Sequence, residues 1–192
     1  MPRIVSSIVS LLLAALMAGC TSLLDPRDDG RAPEHRWRGR FSLVVEPSAQ
    51  FADGQRHTGS FELSQGARFT ELELLSPLGN TIASARETAD AATLRTADGR
   101  RYDARDADAL TEQIFGWRIP VRKLPAWLQG RIADVTEAGP SPAQPAAGTD
   151  EGWQVRFDQW RTDGVAPRPS RLVITYPDRV VLRLVVDGDD SR

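Results

Sequence analysis

From Trp37 the chain alternates. Trp37, Gly39, Phe41, Leu43 and Val45 fall on one side of an extended backbone, and Arg38, Arg40, Ser42 and Glu46 on the other. This is the period of a strand with one face buried and one in water. The period returns in Gly59-Phe61-Leu63 and Thr70-Leu72-Leu74, and more weakly over 81–87 and 91–95, before Asp98-Gly99 turns a hairpin into Arg100-Arg101-Tyr102. The spacing then becomes helical. Asp106 is placed to cap a helix whose Ala107, Leu110 and Ile114 recur at three and four residues and which Gly116 stops, and a second short helix is predicted over 121–128 between Pro120 and Gly130. Residues 137–152, with their Gly-Pro-Ser-Pro-Ala-Gln-Pro run, read as an extended mobile loop. Strands resume at Trp153-Val155-Phe157, at Leu172-Ile174-Tyr176 and, after a Pro177-Asp178 turn, at Val180-Leu182-Leu184-Val186. Strands on both sides of the helices imply one sheet, in a mainly β (α+β) domain.

The N-terminus follows neither period. Arg3 precedes an apolar run from Ile4 to Met17 that is too short for a membrane-spanning helix, for which ~20 residues are needed. A positive start, a short apolar stretch and small residues before a cut describe a secretory signal. Its end, Met17-Ala18-Gly19-Cys20, resembles the lipobox of bacterial lipoproteins. That resemblance implies a signal peptide over 1–19, and a Cys20 carrying diacylglycerol on sulfur and an acyl chain on its amine; no other cofactor is expected. Thr21, where the inner-membrane retention signal of enterobacterial lipoproteins would have aspartate, points to the outer membrane, with the protein lipid-anchored and facing the periplasm. Residues 20–35, polar and rich in turn formers, read as a tether. The folded domain is then 36–186, with an acidic tail over 187–192.

Composition narrows the chemistry. Lys+Arg 24 against Asp+Glu 26 is too balanced to draw in a polyanion, so nucleic acid is not expected as a partner. One cysteine and two histidines cannot furnish a structural zinc site of four cysteines or of two cysteines and two histidines, and no metal site is expected. Neither a Gly-x-Ser-x-Gly elbow nor a His-Glu-x-x-His pair occurs, and the single lysine, Lys123, follows Arg122 rather than the glycine of a phosphate-binding loop. His35 falls in the tether and His57 beside a loop. Glu71 and Glu73 share one strand face, as a glycosidase pair would, but alternation with Leu72 and Leu74 makes that face the solvated one. No catalytic residue is assigned, and the chain is read as a non-enzyme. The five tryptophans are either core or ligand lining; composition does not decide.

Three segments, read together, carry a family resemblance. Residues 72–79 read Leu-Glu-Leu-Leu-Ser-Pro-Leu-Gly; Gly116-Trp117-Arg118-Ile119-Pro120 continues to Leu124-Pro125-Ala126-Trp127-Leu128-Gln129-Gly130; and Gly152-Trp153-Gln154-Val155-Arg156-Phe157 follows. With Arg38-Gly39-Arg40-Phe41 and the upstream lipobox, they resemble the outer-membrane lipoprotein LolB family over roughly 36–186. The resemblance implies an incomplete antiparallel β-barrel whose short helices cover an apolar cavity. It implies a function too: receiving lipoproteins from the periplasmic carrier LolA and inserting them into the outer membrane without nucleotide hydrolysis. The expected partners are a LolA-like carrier, client lipoproteins and outer-membrane lipid, and the protein is expected to be a monomer.

Exposing one client acyl chain of about 14 methylenes to water costs on the order of 11 kcal/mol, so such a client needs a dry surface in transit. Phe41, Leu43, Phe61, Leu63, Leu72, Leu74, Val155 and Phe157 would supply it from the sheet, and Trp117, Trp127 and Leu128 from the helices. Pro77, Leu78 and Gly79 form a turn whose leucine either folds back on the core or stands exposed. The resemblance favours the exposed, membrane-inserting tip. Two readings of other classes compete: an anchored structural or assembly lipoprotein binding a protein partner through the same sheet, and an anchored hydrolase of lipid or peptidoglycan.

Overall fold

The computed structural model describes residues 33–47, 53–164, 166–176 and 179–191. The signal segment 1–19, Cys20, the tether up to residue 32 and the Pro177-Asp178 turn lie outside them. Eleven strands form one antiparallel sheet: β1 (His35–Val45), β2 (Gln55–Gln65), β3 (Phe69–Leu75), β4 (Thr81–Thr88), β5 (Ala92–Thr96), β6 (Arg101–Ala104), β7 (Asp134–Glu137), β8 (Ala147–Asp150), β9 (Trp153–Arg161), β10 (Arg168–Tyr176) and β11 (Val180–Ser191). Their order is β6-β5-β4-β3-β2-β1-β11-β10-β9-β8-β7, so the first and last strands pair at the centre and β6 and β7 remain as open edges. This open sheet is the single antiparallel sheet that the alternating pattern implies, and it agrees with the incomplete barrel that the resemblance implies.

Alternation sets the core. Trp37, Phe41, Leu43 and Val45 of β1 are buried together with Val180, Leu182, Leu184 and Val186 of β11, while Arg38 and Arg40 face water. Leu43 stands opposite Leu182 and Phe41 opposite Leu184, pairs that fix the register by burying one face of both strands. Gly39 is needed where the aromatic layer meets the backbone, because a Cβ there would sit 2.1 Å from the Val185 carbonyl oxygen and 2.8 Å from the Phe61 ring.

Between β6 and β7 the chain folds α1 (Ala107–Phe115) and α2 (Leu124–Leu128). Asp106 caps α1, accepting from the Ala109 amide at 2.7 Å, and Gly116 closes it in the left-handed conformation at φ 76°. The second helix is shorter than the predicted span 121–128. Residues 121–123 form a turn, and Pro125 sits in the helix's first turn, where its missing N–H costs nothing.

Two stretches differ from expectation. The segment 137–152 is not an extended loop: its Pro-rich part joins β7 to β8, with a bridge between Ser141 and Gln144, and β8 pairs with β9. Strand β8 reads Ala-Gly-Thr-Asp and carries no large apolar residue to mark a period. Gly148 is there for close approach, since a Cβ would lie 2.6 Å from the Asp134 carbonyl oxygen. The acidic stretch from 187 is likewise strand, continuing β11 to Ser191 against His35–Arg38 of β1, which therefore begins within the stretch read as tether. Arginines make this possible: Asp187 accepts from Arg40 at 3.0 Å, Asp190 lies 3.6 Å from Arg38, and Asp189 pairs with Arg168.

Candidate functional site

The inner face of β1, β2, β3 and β11 forms the floor of an apolar cavity, and the segment from the end of α1 through α2 forms its roof. The floor is Phe41, Leu43, Phe61, Leu72, Leu74, Leu182 and Leu184; the roof is Trp117, Ile119, Leu124 and Leu128. Its free volume is about 30 Å³, room for a water or two, whereas benzene alone occupies an engineered cavity of ~150 Å³. The site is nearly filled by its own side chains and reaches the surface beside half-buried Leu74, so an acyl chain needs the roof to move aside.

Seven of the eleven side chains assigned to the cavity from sequence meet here: Phe41, Leu43, Phe61, Leu72, Leu74, Trp117 and Leu128. Four do not. Leu63 is fully buried opposite Trp37, beyond the cavity floor. Trp127 turns toward β9, its ring 6.2 Å from that of Trp153, and its Nε1 donates to Asp150 at 3.2 Å. Val155 and Phe157 lie on β9, buried beside Ile174 and Leu172 of β10. Alternation identified which face each residue occupies but not its place along an eleven-strand sheet. Ile119, Leu124, Leu182 and Leu184 were the lining residues missed. Leu182 and Leu184 carry the same period-two signal, and only the pairing of β1 with β11 brings them over the site.

Polar contacts hold the middle of the roof from two sides. Thr111 of α1 accepts from the Ile119 amide at 2.9 Å, fixing the turn after Trp117. On the α1 side Arg122 pairs with Glu87, a carboxylate that β4 carries on its buried face. Asp108, in the first turn of α1, has its carboxyl pushed up to about 6 by burial and by the neighbouring charges of Glu87 and Asp106, partly offset by Arg118 and Arg122. On the other side the single lysine, Lys123, donates to Asp150 at 2.9 Å and to Glu151 at 2.8 Å, and both contacts raise its affinity for the proton. These polar contacts are shut off from the cavity by the apolar lining.

The Pro77-Leu78-Gly79 turn is resolved in favour of exposure: Leu78 is 89% exposed. Gly79 donates its amide to the Ser76 carbonyl at 2.8 Å, and Ser, Pro and Gly occupy the first, second and fourth positions as a type I turn prefers. The Glu71–Glu73 face is accounted for structurally, Glu71 by Arg86 at 3.1 Å and Glu73 by the Thr81 hydroxyl, which donates at 2.7 Å. No group of three or more metal-ligating side chains occurs among the described residues.

A family model described as outer membrane lipoprotein LolB matches residues 34–188. The chain is 33% identical over 182 residues to the outer-membrane lipoprotein LolB of Dechloromonas aromatica, covering 92% of this chain and 93% of that protein. It is 36% identical over 181 residues to the outer-membrane lipoprotein LolB of Bordetella petrii, covering 91% and 88%. Among solved structures, a LolA superfamily protein from Nitrosomonas europaea superposes with a TM-score of 0.47 at 10% identity, covering 86% of this chain and 90% of that one.

Proposed function

This chain belongs to the outer-membrane lipoprotein LolB family, and from that premise we propose that it takes lipoproteins from a LolA-like periplasmic carrier, shelters their acyl chains between sheet and roof, and releases them into the outer membrane. As a member of the family it is a non-enzymatic receptor for lipoprotein localisation at the outer membrane. Cys20 is the proposed lipid anchor, with residues 1–19 removed as signal peptide.

One observation carries the reading: eleven apolar side chains from four strands and the roof converge on one space. The roof over this space ends in a five-residue helix held by a few polar contacts, an arrangement that can open to admit an apolar chain. When a client arrives, its chain replaces Trp117, Ile119, Leu124 and Leu128 against the floor as the roof swings out. The exposed Leu78 supplies the contact with the bilayer at release, where the hydrocarbon interior takes the chain from the cavity. No nucleotide is required, because affinity for the acyl chain rises from carrier to receptor to membrane.

The test is a transfer assay. The purified protein is incubated with a carrier–lipoprotein complex, and the lipoprotein is followed first to the receptor and then to liposomes. Movement through both steps is expected. A lipoprotein that stays with the carrier, or that reaches liposomes equally well without the receptor, refutes the proposal.

A further inference from the structure

Three buried side-chain polar atoms lack a hydrogen-bond partner among the described residues: Arg36 Nε, Glu87 Oε2 and Trp117 Nε1. The first two belong to charged groups with ion-pair partners, Arg36 with Glu62 at 3.2 Å and Glu87 with Arg122 through its other oxygen. Trp117 has no such recourse. The indole N–H is its only polar atom, the residue is 9% exposed, and the ten other side chains lining the cavity are hydrocarbon. Trp127, in the same roof, shows the ordinary arrangement, donating its N–H to a buried carboxylate.

A buried N–H without an acceptor weakens the state that holds it, so its persistence asks for an acceptor that arrives from outside. Nothing in the cavity wall provides one. Trp117 also stands at the roof's margin, between Gly116, where α1 ends, and the exposed Arg118. A chain whose tail lay among the leucines of the floor could bring its linked end to this margin.

Resting on the acyl-cavity reading, we propose that Trp117 Nε1 donates a hydrogen bond to the carbonyl oxygen of the ester or amide through which a bound acyl chain is linked. The cavity thereby favours acyl groups over bare hydrocarbon of equal length. Trp117 is a specificity-determining residue, and the other lining residues supply affinity without discrimination.

The experiment compares a long-chain fatty acid methyl ester with the alkane of equal chain length, each displacing a fluorescent fatty-acyl probe from the wild-type protein and from Trp117→Phe. Water favours the ester over the alkane by the same factor in both proteins, so the ratio of ratios isolates the hydrogen bond. The ester-to-alkane preference is expected to fall about five- to tenfold or more in the variant, whatever change in binding the two ligands share. A second measurement needs no variant: in the proton–nitrogen-15 spectrum of the wild type, either ligand shifts the Trp117 indole N–H resonance by moving the roof, but ester should carry its proton further downfield than alkane does. Equal preference in both proteins, or equal resonance shifts with both ligands, overturns the proposal and leaves the acyl cavity standing. If neither ligand displaces the probe, the cavity reading fails and takes the proposal with it.

Discussion

Replacing Leu78 by glutamate separates holding a client from delivering it. Leu78 is 89% exposed, and its turn is closed by backbone bonds between Ser76 and Gly79 and between Ser76 and Asn80, to which the side chain contributes nothing. Stability should therefore stay within about 0.5 kcal/mol of wild type, as for other surface substitutions. Membrane contact is a different matter. Full burial of a leucine is worth ~1.5–3 kcal/mol, nearly all of it still available to a side chain this exposed, whereas a glutamate must remain hydrated. Delivery should slow by about 10- to 100-fold, while acceptance from the carrier is unchanged. The assay measures the two transfers separately, with a thermal melt as control. Delivery at the wild-type rate would show that this turn is not the membrane-facing tip, and loss of both steps together would show that Leu78 serves the carrier instead.

The floor should reject charge: Leu74, half-buried and lining the cavity, can become Leu74→Glu with the fold retained, yet acyl-probe binding should drop at least tenfold, while Glu73→Gln on the opposite face leaves it intact. Comparable loss from Glu73→Gln would contradict the assignment of faces. Asp150→Ala removes the acceptor of Trp127 and one partner of Lys123, so it should cost about 1–3 kcal/mol in urea unfolding and speed probe entry; a roof that opens no faster would mean this contact does not hold it. Asp108 has its proton affinity raised in the folded state, from the ordinary carboxylate range to about 6. Its ionisation therefore opposes folding, a penalty absent below about pH 4, growing through pH 4–6 and constant above. Asp108→Asn should thus stabilise the protein near pH 7.5 by about 1 kcal/mol, after allowing for solvent screening and the favourable helix N-terminus, and do little at pH 4; equal effects at both would refute the coupling.

Most of the sheet was legible because one face of it is buried. In β1, over 60–64 of β2, 69–74 of β3 and 180–186 of β11, the period-two alternation holds, and each large inward residue it named is either core or cavity floor. The capping Asp106 and the stop at Gly116 likewise placed α1, since both carry their conformational reason in the residue itself. The β7–β8 hairpin was missed because its residues are small, polar or proline, and its register comes from pairing with β9 rather than from a pattern of its own. The end of β11 was missed because its aspartates look solvated until Arg38, Arg40 and Arg168 are brought beside them. The site was legible by face and not by position: Trp127 and Trp117 lie in one roof, and only the tertiary fold sends one to Asp150 and the other over the cavity.

On the proposed function, the nearly filled site also accounts for how a receptor could both accept and let go without an energy source. Opening the roof uncovers Ile119, Leu124 and Leu128, at ~1.5–3 kcal/mol each, and Trp117, whose ~150–250 Å² is worth about 4–6 kcal/mol, a total of about 8–15 kcal/mol if fully exposed. A client chain of about 14 methylenes returns on the order of 11 kcal/mol by covering the floor. The two nearly cancel, so a chain is held, but not deeply. The bilayer offers the same ~11 kcal/mol for the chain and asks for no uncovered roof. Once the chain leaves, the roof side chains regain the floor, and both changes run toward the membrane. A larger permanent cavity would bind the chain more tightly and lose this second contribution. On this reading the small resting volume is what gives transfer its direction.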